Sequence, residues 1–183
     1  MIDQDWAGKV LSFWFEELTP EDWFERNERT DEAIRMRFGE LHAQLATAAP
    51  AMRFDDPQTA LAAIIVFDQF SRNMFRGEAR AFATDVLAVS IARHALERGF
   101  DAGLNEQRKS FLFMPFMHSE NVADQERCVA LFSALPGDMV KYAIEHRDIV
   151  ARFGRFPHRN QVLGRDSTAA ERAFLAEHKG FGQ

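Results

Sequence analysis

The stretch ALAAIIVFDQFSRNMFR, residues 60–76, decides the fold. Asp56 and Pro57 just ahead of it make a helix start, an acid able to cap followed by the residue whose missing N–H costs nothing in a first turn. The spacing predicts a helix through about Phe75. Its first half, ALAAIIVF, is apolar on every side, and a helix without a polar face has to be surrounded by other elements. This is therefore the central helix. Its second half breaks the pattern: at about 100° per residue Asp68, Gln69, Arg72 and Asn73 share one sector, with Asp68 and Arg72 four apart and able to pair.

Outward from this helix the 3.6-residue period continues in both directions. Towards the N-terminus Trp6, Val10, Phe13, Trp14 and Leu18 mark one helix. Thr19, Pro20, Glu21 and Asp22 start a short second one with Trp23 and Phe24, and Thr30, Asp31 and Glu32 open a longer one carrying Ile34, Phe38, Leu41 and Leu45 until Pro50. Towards the C-terminus a helix over 84–98 turns Val86, Leu87, Val89, Ile91, Ala92 and Leu96 inward and ends at Gly99. The next, over 106–118, contains FLFMPFM, where Pro115 should kink or break it for want of an N–H. A helix over 122–135 follows. Asp138 caps a long one to about Phe153, and Thr168 with Glu171 three residues on is a capping box for the last. About eight helices with short connections, and no sustained apolar–polar alternation, give an all-α array in one domain over 1–183.

Composition agrees and excludes several classes of function. The 183 residues hold 22 Lys and Arg against 28 Asp and Glu, a net charge of −6, with 46% hydrophobic residues, enough for a closed core and too many for disorder. Eighteen Phe and 3 Trp against a single Tyr say that the large rings fill the interior. One cysteine, Cys128, allows no intramolecular disulfide and no multi-cysteine zinc site, which points to a reducing cytosol. The opening MIDQDW has no basic segment leading into an apolar core, and no apolar run is long enough to span a bilayer. A cytoplasmic chain that neither enters a membrane nor binds nucleic acid is the expectation, although residues 147–165 are locally basic around Phe153 and Phe156.

Three stretches place polar side chains where burial is expected. The first is the sector of Asp68, Gln69, Arg72 and Asn73. The second is MPFMHSE, where His118 and Glu120 follow the expected break at Pro115. The third is YAIEHRDIVARFGRFPHRNQ, residues 142–161. Its helix shows Lys141, Glu145, Asp148 and Arg152 to solvent and turns His146 and Arg147 toward the sector of Met139, Tyr142, Ala143, Ile149, Val150 and Phe153. Asp68 or Glu120 could supply their partners. The loop beyond gathers Arg155, His158, Arg159 and Asn160 around Phe156 and Pro157, a density of donors beyond what a connection needs.

Buried acids, histidines and arginines in this number suit an anion: guanidinium forks take carboxylate or phosphate, and a histidine beside an acid can serve as a general base. No GxSxG, P-loop or GxGxxG accompanies them, Cys128 reads as a small buried hydrophobe, and neither HExxH nor ExxH spacing suggests a metal. No cofactor is indicated.

The motifs FDQFSRNMFR, PFMHSE and HRDIVARFGRFPHRN, with VLSFWF ahead of them, resemble the bacterial family known as domain of unknown function 924, in order and over nearly the whole chain. The resemblance implies a tetratricopeptide-like fold of antiparallel helix pairs in a right-handed superhelix. The 34-residue repeat itself is not readable here. The family brings no activity, so function has to come from the residues.

Three readings stand at this point. The first is a cytosolic helical array that binds a small anionic ligand or an acidic peptide terminus through Asp68, Gln69, Arg72, Asn73, Arg147, Arg155, His158, Arg159 and Asn160. The second is a hydrolase-like or proton-transfer enzyme in the same pocket, with His118, Glu120 and His146 as catalytic candidates. The third is a buried structural network inside a protein-interaction scaffold.

Overall fold

The computed structural model describes residues 2–49, 54–178 and 180. Among them the secondary structure is helical throughout: α1 (Trp6–Ser12), α2 (Pro20–Phe24), α3 (Glu28–Ala48), α4 (Pro57–Ile64), α5 (Ser71–Met74), α6 (Asp85–Glu97), α7 (Glu106–His118), α8 (Val122–Ser133), α9 (Met139–Phe153) and α10 (Ala169–Glu177). No helix among the described residues is long and apolar enough to cross a membrane.

The predicted central helix is present, in three parts. Asp56 caps it by accepting from the N–H groups of Gln58 and Thr59, α4 runs to Ile64, a π-helical stretch covers Ile65–Phe70, and α5 completes it. Every residue from Ala60 to Ser71 is buried. Around it pack α1, α6 and α7, with α3 against α5 and the π stretch, and α8 between α7 and α9. The rings concentrate where α1 passes into its own π turn, Phe13–Glu17. Trp14 stands edge-on to Phe70 and Phe111 at 5.6 and 5.4 Å, and Phe38 meets Phe13 and Phe70 at 5.1 and 4.9 Å. A smaller apolar cluster of Ile149, Val150 and Phe156 holds the C-terminal part, with Phe153 and Phe174 against it.

Several local expectations change in the structure. Pro115 does not break α7, which continues through it to His118. Seven consecutive residues from Phe111 to Met117 are buried, and that packing outweighs the lost N–H bond. Val86 is 75% exposed, because α6 turns Ala88, Val89, Ile91, Ala92 and Ala95 inward. α3 starts at Glu28 with Asn27 as its cap, which leaves Thr30 and Asp31 within the first turn and buried. The Asp138 side chain does not cap α9; it bonds Lys141 instead. α8 ends at Ser133, and the expected limit of α3 at Pro50 lies outside the described residues.

The capping box of α10 forms as predicted: Thr168 Oγ1 accepts from the N–H of Glu171 at 3.2 Å, and the Glu171 carboxylate accepts from the N–H of Thr168 at 2.7 Å. Replacing Thr168 with Ala should cost about 1 kcal/mol. Amide hydrogen exchange would show that loss as faster exchange confined to α10 and its contacts; unchanged protection there would contradict it.

Candidate functional site

Asp68 sits in the π stretch with its carboxylate fully enclosed. Its oxygens lie 2.7 and 2.9 Å from His118 Nδ1 at the end of α7, and Gln69 Nε2 donates to Oδ2 at 2.6 Å. Arg72, one turn on, reaches Asp68 Oδ1 at 3.3 Å and donates to the Asp68 carbonyl at 2.6 Å. Its two terminal nitrogens grip Asp85 at the start of α6, both at 3.0 Å. Arg159, in the single turn Pro157–Arg159, closes the cluster by donating to Asp85 Oδ2 at 3.2 Å and to the His118 carbonyl at 3.0 Å. Its guanidinium lies between the rings of Phe82 and Phe156, 4.5 and 4.6 Å from their centroids.

These neighbours set the protonation states. Burial alone would lift the Asp68 carboxyl, but His118 and Arg72 hold it below the usual carboxylate range. Burial pushes His118 down, against the pull of Asp68 and with the help of Arg72. The pair is thus a carboxylate accepting Nδ1–H from a neutral imidazole, whose Nε2 makes no hydrogen bond. Burial also draws Arg159 down to about 10, which leaves it charged at neutral pH. His146 approaches the His118 ring at 6.4 Å and the Phe156 ring at 5.6 Å, and donates Nδ1–H to the Tyr142 carbonyl at 2.8 Å. Burial first, then the neighbouring His118, lowers it to about 3.

A second acid on the far side of the central helix takes the remaining polar groups of that stretch. Asp31 of α3 accepts from Asn73 at 2.7 Å and from two nitrogens of Arg76 at 3.0 Å. Between the two networks lies a cavity of about 60 Å³, walled by Arg72 and Arg76, by Ala81 and Phe82, and by His158 with Val162. Arg72 is 10% exposed, and its Nε–H is buried without an acceptor.

The structure brings Asp68, Gln69, Arg72, His118, His146 and Arg159 together and sends the other candidates elsewhere. Arg147 is not core-facing: it lies at the surface between Asp148 and Glu126, and Tyr142 beside it is 52% exposed. The apolar stripe of α9 runs through Ala143, Ile149 and Val150, one step around the helix from Arg147. Glu120 serves neither His146 nor Arg147; it accepts from Arg165 at 2.7 and 3.0 Å and from the Phe156 N–H at 2.8 Å. Arg155 pairs with Glu171, and Asn160 bridges Ser167 and Arg165. His158 lies on the cavity wall and, behind it, its Nε2 meets His178 Nδ1 at 3.0 Å; His178 Nε2 in turn donates to Glu145 at 2.9 Å. Cys128 is buried, its thiol pushed up to about 12, as expected of a small hydrophobe. Among the described residues no group of three or more His, Cys, Asp or Glu side chains is placed to hold a metal ion.

Asp31 and Asp85 were missed as partners because each follows a helix-start signal and reads as a first-turn acid. The signal that could have found them is the surplus of arginines over acids within residues 66–76.

Comparison with known proteins gives the fold a relative and the chemistry none. The protein of unknown function from Agrobacterium tumefaciens whose structure is solved is 39% identical, covers 94% of this chain and 97% of its own, and superposes with a TM-score of 0.87. No curated protein matches. The family described as bacterial protein of unknown function DUF924 matches residues 10–179, and the chain belongs to that family.

Proposed function

We propose that this protein is a cytosolic helical scaffold that binds a small anion, such as a small carboxylate or the carboxylate end of a peptide, in the cavity between Arg72, Phe82 and His158. The observation that carries this reading is the Nε–H of Arg72. It belongs to a guanidinium held on its other side by Asp85, it is out of reach of bulk water, and it has no acceptor while it borders a space able to hold one. A buried donor left in this condition costs about 1–3 kcal/mol, and an oxygen-bearing ligand recovers that cost. The cavity's 60 Å³ exceeds by several-fold the ~10–15 Å³ that a single water requires.

Titration calorimetry with acetate and with inorganic phosphate, in a buffer free of other small anions, tests the proposal. Saturable binding of at least one of them at one site per chain is expected. Val162→Phe, which narrows the cavity without touching a charge, should abolish it, and Arg72→Lys, which keeps the charge but lacks the Nε–H, should weaken it tenfold or more. Absence of saturable binding, or unchanged affinity in Val162→Phe, would overturn the reading.

A second reading, proton transfer by His118, is favoured by the Asp68 carboxylate on Nδ1 and an Nε2 without a hydrogen bond. It requires that a bound carboxylate exchange its α-hydrogens in D₂O, which NMR would register.

A further inference from the structure

The charges around the cavity already balance. Arg72, Arg76 and Arg159 supply three positive charges, and Asp31, Asp68 and Asp85, each bonded to at least one of them, supply three negative ones. An anion that entered this enclosure alone would leave one buried negative charge uncompensated, a state that costs several kcal/mol and that proteins avoid by moving a proton. The titratable side chain on the cavity wall is His158.

We infer that the cavity takes a monoanion together with one proton, that His158 is where the proton goes, and that the ligand class is therefore a small monocarboxylate and not a doubly charged oxyanion. This rests on the anion-binding reading above and adds its stoichiometry and charge.

The geometry behind His158 fixes which nitrogen receives the proton. Glu145 of α9 accepts the Nε2–H of His178, so His178 presents the lone pair of Nδ1, which accepts from the Gly180 N–H at 3.1 Å and faces His158 Nε2 at 3.0 Å. His158 therefore carries its hydrogen on Nε2, and the added proton goes to Nδ1. The charged and titratable groups facing this imidazole are all in place: Glu145 from α9 and His178 beyond α10, with the Phe174 ring at 5.5 Å, and Arg72 and Arg76 across the cavity. The arginines and burial oppose protonation while the cavity holds no anion. Glu145 supports it, and a carboxylate between His158 and Arg72 reverses the balance. Burial, with His178 next, holds His158 below the ordinary histidine value in the absence of ligand. Proton uptake on binding is consequently complete above about pH 6.5.

The test is calorimetric titration of the full chain with sodium acetate at pH 7.5 in two buffers of different ionisation enthalpy, with sodium sulfate as the dianion. One proton taken up per acetate is expected, with acetate affinity falling tenfold per pH unit between pH 6.5 and 7.5 and sulfate binding at least tenfold weaker. His158→Gln should abolish the uptake and flatten the pH dependence. Should that variant fail to fold, the wild-type proton count alone decides. Acetate binding without proton uptake, uptake that persists in His158→Gln, or sulfate binding as tightly as acetate would overturn the inference and leave anion binding intact. Absence of binding by either salt would overturn both.

Discussion

Arg72→Ala should lower the stability of the protein by about 3–5 kcal/mol. The side chain carries the one guanidinium that joins the central helix to the start of α6, and its removal takes a partner from two acids at once. Asp68 would keep His118 and Gln69, and Asp85 would keep Arg159, but each would remain buried with less positive charge than it now has. In a chain of this length each kcal/mol shifts the melting temperature by roughly 2–4 °C, so a drop of about 10 °C is expected in calorimetry, with an unchanged urea m-value. Arg72→Lys should lose less, since one charge can still reach Asp68 or Asp85 without the two-pronged grip. A melting temperature within 2–3 °C of the parent, on the order of the effect of an ordinary surface change, would contradict the buried network as drawn. The result also bears on the anion site, because the same residue serves both: its forked end holds the fold and its Nε–H faces what the fold leaves unfilled.

Mild acid should destabilise the protein well before its carboxylates titrate. His146 is neutral in the fold and lowered to about 3, against about 6.5 in an unfolded chain. Below pH 6.5 the unfolded chain therefore binds a proton that the folded one refuses, and stability falls with falling pH until the folded value is reached. Between pH 6.5 and 5 this one residue is worth about 2 kcal/mol. His42 and His118, also held low by burial, act in the same direction. Asp68 and Glu120, held below the usual carboxylate range, lose their contribution at lower pH, as they are protonated through their folded values. Urea midpoints at pH 7, 6 and 5, in buffers without small carboxylates, should fall progressively, and His146→Gln should reduce the slope by about one proton. A variant that kept the full slope would show that His146 is not the group refusing the proton.

How much of this was legible before the structure depends on whether an effect is local. The burial of ALAAIIVF, the caps at Asp56 and Thr168 and the solvated face of Lys141, Glu145, Asp148 and Arg152 rest on residues within one or two turns of each other, and all are present. The misplaced polarity of Asp68, Arg72, His118 and Arg159 was also visible. Its wiring was not. Asn73 bonds an acid 42 positions away and Arg159 one 74 positions away, and nothing in a helical projection selects between candidate acids at that range. The shared sector of Asp68, Gln69, Arg72 and Asn73 fails for a definite reason. The π stretch at Ile65–Phe70 has a wider turn than the 3.6 residues assumed, so the phase slips, and Arg72 turns to Asp85 while Asn73 turns to Asp31. Arg147 lay at the edge of the apolar stripe of α9, where an error of one residue moves a side chain from core to solvent.

That widened turn has a further consequence, for what the chain can gain or lose in length. Its carbonyls are met from outside the helix ladder, Phe67 by the Thr84 hydroxyl at 2.7 Å and Asp68 by Arg72 at 2.6 Å, so the bulge is held by side chains on both flanks. Removing a single residue within 65–70 would let an ordinary α-helix close through the gap and rotate everything beyond it by about 100°. Arg72 would swing away from Asp85, and Asn73 and Arg76 from Asp31. Residues 65–76 therefore behave as a ruler of fixed count, in which a substitution can be absorbed and a deletion cannot.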